Sequence, residues 1–299
     1  MKIKKIVILL LFTILSVCSI AREDFVIQQG DEKLQLDYVP QYVCTDSAIL
    51  SRFFAALGID LVGVPNSTTK IPEKYDNTPR IGRSGMPDLE KVKALKTDLM
   101  VSTVFSKNSL KEKYDMINVP SFYLDVDTYQ HSKDAIEVLG KAFNKEQKAN
   151  EILDDWNKRE KIVVEKAKNM PSKKVAIIFG NGESFFMVGK EHFLQELLDK
   201  VNCENIVTKF DKSAVNKRSV PFSLEQLLTI NPDIILILPS SKTKNGEVFR
   251  ESFDKNPVWK LTNAYKNNKI IIIDPTLFRM SSGVNSIDAL EELYKYVHE

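Results

Sequence analysis

Histidine is scarce in this sequence, and its scarcity excludes one class of metal-binding protein. Only His131, His192 and His298 occur among 299 residues. His131 lies beside a charged helical segment and His298 at the chain end, so both have the surroundings of surface residues. A buried zinc or manganese site built from several histidines is therefore excluded.

A large excess of positive charge is also missing. The formal net charge is +2. It becomes −1 if Lys2, Lys4 and Lys5 are removed with a leader, since 39 basic residues then face 40 acidic ones. A near-neutral chain gives no support to nucleic-acid binding, and we expect no nucleic-acid partner.

Long apolar runs are missing after the first 21 residues. The opening MKIKKIVILLLFTILSVCSIA has a basic head, an apolar run too short for a typical membrane span, and the small residues Ser19 and Ala21. We interpret residues 1–21 as the signal peptide of an exported protein, periplasmic or at the cell surface. Cleavage after Ala21 is favoured over lipidation at Cys18, because Val17 stands where lipoprotein signals have a small residue.

Cysteine is limited to Cys44 and Cys203 once the leader is set aside. Two cysteines in an oxidising compartment allow a disulfide. The repeat described next assigns them to different lobes, so we expect two unpaired thiols.

One short pattern occurs twice, 135 positions apart. DLEKVKALKTDLMV at 88–101 and SLEQLLTINPDIIL at 223–236 share a leucine, a glutamate and apolar residues at matching places. Each copy opens with a helix N-cap signal, continues with apolar positions at helical spacing and ends in a β-rich run typical of a covered parallel strand. The repeat predicts an α/β fold with one helix–strand unit in each of two lobes.

The segment between the two copies has a different composition. From 132 to 169 it contains no proline and a single glycine, Gly140, and its apolar residues form one stripe among charged ones. We predict one long rigid helix, stopped by Met170-Pro171. The predicted organisation is a signal peptide (1–21), an N-terminal α/β lobe (22–131), the connecting helix (132–170) and a C-terminal α/β lobe (171–299).

Glu90 and Glu225 occupy the same place in the two copies. The helix dipole favours a carboxylate in the first turn, so each placement alone has a structural explanation. Two carboxylates at equivalent positions of two lobes also suit a partner with two-fold symmetry. A basic residue on each half of that partner would meet one glutamate.

No catalytic motif stands out. Gly180 and Gly182 follow a strand in IIFGNGESFF, but the third glycine of a dinucleotide-binding loop is missing. A phosphate-binding lysine loop, a Ser–His–Asp signature and a paired-carboxylate motif are all absent. We therefore expect a binding protein and not an enzyme, with its ligand in the groove between the lobes.

Several segments together carry a family likeness that runs from Tyr38 to Tyr296: VGVPNSTTKIPEKY (62–75), TPRIGRSGMPDLEKVKAL (78–95), NPDIILILP (231–239), NPVWKLTNAYKNNKIIIID (256–274) and GVNSIDALEELYKY (283–296). They resemble the substrate-binding proteins of ABC importers for iron complexes and cobalamin, the class III periplasmic binding proteins. In this family one long helix joins two α/β lobes. The likeness is strongest to haem-binding members.

The resemblance implies a function. It implies a monomeric receptor that captures haem in the cleft between the lobes and delivers it to the permease dimer of an ABC transporter. Haem would be the transported ligand and not a catalytic cofactor. In the family the two equivalent glutamates dock onto arginines of the permease, a role that carries over to Glu90 and Glu225.

The resemblance also implies iron ligands. Haem-binding relatives use a methionine near the end of the IGxxxxP loop and a histidine just after the LP pair that ends a second-lobe strand. Met86 is in that loop, one place later than the relatives' methionine, and Ser240-Ser241 replaces the histidine. We predict Met86 and His192 as the ligands, with Met280 as the alternative. His192 ranks first because imidazole is the stronger ligand and its loop is expected at the carboxyl end of a strand.

The rest of the predicted lining comes from loop ends. Aromatic and apolar side chains would cover the macrocycle, cations would meet the propionates, and backbone N–H groups at the next helix start would take a carboxylate. The predicted lining consists of Tyr42, Cys44, Thr45, Lys70, Arg83, Met86, Phe185, Phe186, Met187, His192, Ser240, Phe278, Arg279 and Met280. A ferric siderophore, or another iron complex or cobalamin, stays an alternative ligand, because cations such as Arg83 and Arg279 suit an anionic complex that needs no axial side chain.

Overall fold

The structure is a computed structural model. It describes residues 24–180, 185–209, 218–240, 257–278 and 281–299, together with positions 249, 251 and 255. The predicted signal peptide, and with it the proposed cleavage site, lies outside the described residues. Within the described residues, no helix is both long and apolar enough to cross a membrane.

The N-terminal lobe contains a parallel sheet. An antiparallel hairpin precedes it, β1 (Phe25–Gln29) and β2 (Glu32–Leu36). The parallel strands have the order β3 (Val43–Thr45), β7 (Leu99–Thr103) and β8 (Ser121–Leu124). A second small sheet joins β4 (Val64–Asn66), β5 (Arg80–Arg83) and β6 (Met86–Pro87). The helices are α1 (Ala48–Ala56), α2 (Leu89–Ala94) and α3 (Lys107–Met116).

The C-terminal lobe contains one larger mixed sheet. Its strands are β9 (Lys173–Gly180), β10 (Phe185–Val188), β11 (Cys203–Asn205), β12 (Ser219–Pro221), β13 (Ile234–Pro239) and β14 (Ile270–Ile272). Their order is β12-β10-β9-β13-β14, with β11 also paired to β9. The helices are α6 (Phe193–Lys200), α7 (Leu224–Ile230), α8 (Asn263–Lys266), α9 (Pro275–Phe278) and α10 (Ser286–His298). Strand β13 is buried along its whole length between two parallel neighbours, as its continuous apolar run predicts.

The repeat found in the sequence corresponds to α2–β7 and α7–β13. The Asp88 carboxylate caps α2 by accepting from Lys91 N, and the Ser223 hydroxyl caps α7 by accepting from Gln226 N. Shortly after each helix one residue takes the left-handed conformation, Lys96 (φ 55°) in the first copy and Asn231 (φ 49°) in the second. The prediction of one helix–strand unit in each lobe is confirmed.

The connection between the lobes differs from the prediction. Two helices, α4 (Tyr129–Ala142) and α5 (Glu146–Lys168), replace the single helix expected over 132–170, and that expectation is wrong. They run antiparallel, since Lys133 Nζ lies 3.1 Å from the Glu160 carboxylate. The chain reverses at Asn144, which adopts a φ of 54° and is a residue type that tolerates this conformation at helix ends. The 23-residue α5, about 35 Å long, is the long helix that leads into the second lobe.

The two lobes also pack directly against each other. A Cβ on Gly283, which precedes α10, would lie 2.9 Å from both Ile49 and Phe53 of α1. Arg159 of α5 binds Glu291 of α10 through two hydrogen bonds of 2.9 and 2.7 Å. The hydrophobic core is therefore continuous from one lobe to the other through these helices.

Both cysteines are buried and unpaired, as expected. The Cys44 sulfur lies 3.2 Å from the Thr97 hydroxyl in the first lobe, and Cys203 lies in β11 of the second. Burial raises the pKa of each thiol to about 11, so both stay protonated at neutral pH.

Candidate ligand-binding cleft

The carboxyl edge of the first lobe is built around the start of α1. The chain leaves β3 at Asp46, and Ser47 caps the helix. A turn from another part of the lobe is fastened to this point: Gly85 N and the Ser84 hydroxyl each donate to the Asp46 carbonyl over 3.1 Å. The Ser84 hydroxyl also accepts from Ala48 N at 3.4 Å. The loop that carries Met86 is therefore held in a fixed place at this edge.

Two large apolar side chains are exposed at the same edge. Met86 is 69% exposed, and Phe105 is 77% exposed in the short 3-10 turn directly after β7. The two turns are neighbours, because a Cβ on Gly85 would lie 3.7 Å from the Ser106 hydroxyl. Phe105 is not among the predicted lining residues, because the apolar run of β7 continues into Val104 and Phe105 without a local signal for the end of the strand. The edge thus offers an apolar surface with a thioether beside it.

The second lobe presents the carboxyl ends of β9, β13 and β14. The Ser240 backbone N–H donates to the Gly180 carbonyl over 2.8 Å, which places the serine at this edge. Phe185 pairs with Gly180 at the start of β10 and packs its ring against Phe249 at 5.3 Å. Phe186, next in the strand, is exposed. Ser240, Phe185 and Phe186 are therefore near the predicted edge.

A cavity of about 630 Å³ lies where the lobes meet. Its volume is in the range typical of small-molecule sites, about 300–1,000 Å³. The first lobe contributes one flank of α1 and the loop that follows β4. The second lobe contributes α9 and the segment before α10. The lining residues are Arg52, Ala55, Ala56, Lys70, Ile71, Pro72, Glu73, Thr276, Leu277, Val284 and Asn285.

Comparison with known families decides the class of protein. A family model described as periplasmic binding protein matches residues 43–277, more than two thirds of the chain. The chain belongs to the periplasmic binding protein family. The family is one of binding and transport proteins, and the mixed α/β structure with two lobes is the fold expected from the sequence.

Individual relatives of this periplasmic binding protein include receptors for iron compounds. The high-affinity heme uptake system protein IsdE of Staphylococcus aureus is 29% identical over 240 residues, 80% of each chain. The crystal structure of S. aureus IsdE complexed with heme has a TM-score of 0.75 and 26% identity, and the match covers 86% of this chain and 99% of that one. An ABC transporter substrate-binding protein from Listeria monocytogenes has a TM-score of 0.76 and 26% identity over 85% and 97% of the two chains.

A further solved structure shares the fold. S. aureus SirA complexed with staphyloferrin B has a TM-score of 0.71 and 21% identity, with coverage of 91% and 98%. At this identity the likeness concerns the fold alone.

Several residues predicted to line the cleft lie elsewhere. Tyr42 precedes β3, and its backbone N–H donates to Asp98 Oδ1, just before β7. Both residues are at the amino edge of the sheet, opposite the cleft. The prediction for Tyr42 is wrong because the strand runs away from it toward Thr45.

Four further predictions fail because the side chains are buried. Cys44 and Thr45 are inner residues of β3, and the Thr45 hydroxyl accepts from Ser47 N. Met187 and Phe278 are completely buried in the second lobe. Each is fully covered by its neighbours, so none of the four lines the cleft.

His192 is not where the sequence suggested. Strand β10 runs antiparallel to β9, so the chain has returned toward the amino end of β9 before it reaches His192. There the ring caps α6, with Nδ1 accepting from Leu194 N at 3.1 Å. The expectation that its loop opens at the carboxyl edge is wrong, and its role as an iron ligand stays a prediction without that support.

The predicted cations have different surroundings. Lys70 lines the cavity, and its ammonium pairs with Glu73 at 2.7 Å on the exposed rim. Arg83 is exposed at the end of β5, beside Met86. Arg279 and Met280 lie outside the described residues.

The two paired glutamates are exposed. Glu90 lies in the first turn of α2 and Glu225 in the first turn of α7. They therefore occupy equivalent positions on the two lobes, one on each copy of the helix–strand unit.

Proposed function

We propose that this protein is an extracytoplasmic receptor that captures haem between its lobes and delivers it to an ABC-transporter permease. The observation that carries the proposal is the exposed thioether of Met86, held at the carboxyl edge of the first lobe. The similarity of this chain, over most of its length, to a protein solved with haem supports the same ligand. Haem is then cargo, bound and released without chemical change.

Met86 is the proposed iron ligand from the first lobe. Its sulfur is soft and neutral, as is typical of methionine ligands to haem iron. Ser240 stands at the second-lobe edge, where haem-binding relatives have histidine, and a neutral hydroxyl is a poor ligand. We therefore propose that Met86 carries the larger share of axial ligation, with Met280 or His192 as the candidates for the second position.

The replacement of the histidine by Ser240 favours a ferric siderophore as the alternative ligand to haem. A ferric siderophore brings its own iron ligands, so it needs apolar surface and cations but no axial side chain. This alternative is the same kind of receptor with a different iron complex.

Delivery implies a location and a partner. We propose that residues 1–21 direct export and are cleaved after Ala21, and that lobes 22–131 and 171–299 enclose the ligand. Glu90 and Glu225 are proposed to meet basic residues on the two halves of the permease dimer. The receptor itself acts as a monomer without catalytic activity.

Haem titration of the apo-protein tests the proposal. We expect a Soret band. Met86→Ala should shift this band and weaken haem binding about tenfold or more, because metal affinity falls by at least this factor even when only a group that orients a ligand is lost. Met116→Ala is the matched control, because Met116 is 71% exposed at the far end of α3. If the wild-type protein gives no spectral response, haem is excluded and titration with ferric siderophores follows.

A further inference from the structure

One cation in the inter-lobe cavity, Arg52, has no anionic partner among the described residues. Arg52 lies on α1 with its guanidinium half-buried. In the part of the chain that the structure describes, no carboxylate pairs with it and no hydrogen bond reaches it, and burial lowers its pKa. An arginine stays charged even so, and a partly desolvated charge without a partner is unfavourable. Such a group is prepared for an anion supplied by a ligand.

The rest of the cavity does not neutralise this charge. Lys70 and Glu73 pair with each other on the rim, and Thr276 and Asn285 are neutral. The remaining described lining is apolar, from alanines of α1 and from residues such as Leu277. The cavity therefore suits a largely apolar body that carries a carboxylate.

The position of Arg52 connects the cavity with the Met86 loop. Arg52 follows Ala48 by four residues, so the two lie on one face of α1, about 6 Å apart along the axis. Helical side chains tilt toward the N-terminus, which directs Arg52 toward Ala48. The Ala48 N–H is bonded to Ser84, two residues before Met86. The turn that carries Met86 is thus attached to α1 one helical turn before Arg52.

We infer that Arg52 binds a carboxylate of the transported ligand, a flat apolar compound that carries carboxylates, such as haem with its propionates. The inference rests on the proposed function. It adds Arg52, a residue inside a helix, to a predicted lining that was drawn only from loop ends. Arginine presents a planar fork that matches a carboxylate in two parallel hydrogen bonds. Lys70 is already paired, and Arg83 is exposed to solvent, where an ion pair contributes little.

The test compares haem with haem dimethyl ester, in which both propionates are esterified. Wild-type protein should bind the ester about ten- to a hundredfold more weakly than haem, the range of a hydrogen-bonded charge pair. Arg52→Gln should bind haem more weakly by a similar factor and should no longer distinguish the two compounds. Arg52→Lys should restore part of the difference. Lys161→Gln, which removes an exposed charge from α5, should behave like the wild type.

Each outcome has a consequence. The inference is overturned if Arg52→Gln and Arg52→Met keep the full preference for haem, or if Arg83→Gln loses it while Arg52→Gln does not. Equal binding of both compounds by the wild type overturns the inference and leaves haem transport standing. No binding of either compound overturns the proposed function, and the inference falls with it. Arg52→Gln removes an unpaired charge, so it should melt no lower than the wild type, which circular dichroism checks.

Discussion

A single buried carboxylate lies beneath the loop that carries Met86. Asp46 is 1% exposed, and its Oδ2 accepts from the Tyr114 hydroxyl at 3.1 Å. Burial raises the pKa of this carboxyl to about 6, although the hydroxyl groups of Tyr114 and Ser102 act in the opposite direction. The folded protein therefore holds this proton at a pH where the unfolded chain has lost it.

This raised pKa predicts how stability depends on pH. Between the unfolded pKa near 4 and the folded pKa near 6, the folded state binds more protons, so the Asp46 contribution falls as the pH rises. The fall amounts to about 2–3 kcal/mol, since one pKa unit corresponds to about 1.4 kcal/mol. Asp46→Asn should therefore be more favourable at pH 7.5 than at pH 4.5 by about 2 kcal/mol, measured by urea unfolding, since part of the fall has already occurred at pH 4.5.

Comparing the two pH values for wild type and variant cancels the contributions of other carboxyl groups. The exposed Asp76→Asn is the control and should show no such difference. A change in stability from Asp46→Asn that is equal at both pH values would show that Asp46 titrates normally.

At the scale of helices and strands, the turn between α4 and α5 depends on one close approach. A Cβ on Gly140 would lie 2.5 Å from the Ala149 Cβ, closer than two carbons can pack. Alanine has the higher helix propensity by about 1 kcal/mol, so an isolated helix would gain from the substitution. In this hairpin the clash outweighs the gain.

Gly140→Ala should therefore destabilise the protein by about 1–3 kcal/mol, the usual cost of overpacking. Adding Ala149→Gly should remove the clash, so that the two substitutions couple by about 1 kcal/mol or more in a double-mutant cycle. Thermal or urea unfolding of the four proteins measures the coupling. Additive effects would show that the two helices do not meet at these residues.

The same hairpin shows what the sequence could predict. The repeated helix–strand unit was found because its apolar spacing, N-caps and strand are all local signals. The break between α4 and α5 was missed because the segment contains no proline and its apolar stripe continues through it. Asn144 takes the left-handed conformation at the break, but asparagine also occurs inside helices, so its presence did not predict a helix end. The reversal is fixed by tertiary contacts such as Lys133 with Glu160.

The predicted cleft residues show the same difference between local sequence signals and tertiary contacts. Arg83 and Met86 lie at the end of β5 and Ser240 at the end of β13, where local strand signals predicted loop ends, and their contact with a ligand stays a prediction. His192 was misplaced because its loop was expected at the carboxyl end of a strand, whereas β10 runs antiparallel to β9 and returns the chain toward the amino end of β9. Arg52 was missed because it lies inside a helix, and only the approach of the second lobe makes its surroundings a cavity.

The whole molecule is organised around contacts that join its lobes. Arg218 of the second lobe pairs with Asp127 of the first at 3.0 Å, and Glu160 of α5 binds Lys200 of α6 at 2.6 Å. Together with the packing of Gly283 on α1, these contacts hold the two glutamate-bearing helices in one relative arrangement. In the proposed docking, a permease with two-fold symmetry meets Glu90 and Glu225 at the same time.

Simultaneous contact predicts how the two glutamates contribute to transport. Truncating one partner of a buried hydrogen-bonded charge pair at an interface costs about 2–5 kcal/mol. Docking would bury the proposed pairs, so Glu90→Ala and Glu225→Ala should each weaken docking about thirtyfold or more. The double variant should abolish most uptake into cells that carry the permease. Haem titration of the same variant should give wild-type affinity, because both glutamates lie outside the described cavity lining. Each substitution removes at most a favourable first-turn interaction with the helix dipole, about 0.3–1 kcal/mol of stability.

Glu112→Ala with Glu137→Ala removes two exposed helical carboxylates elsewhere and is the matched control. Normal uptake by the Glu90/Glu225 double variant, or an equal loss in the control, would show that docking does not use this pair.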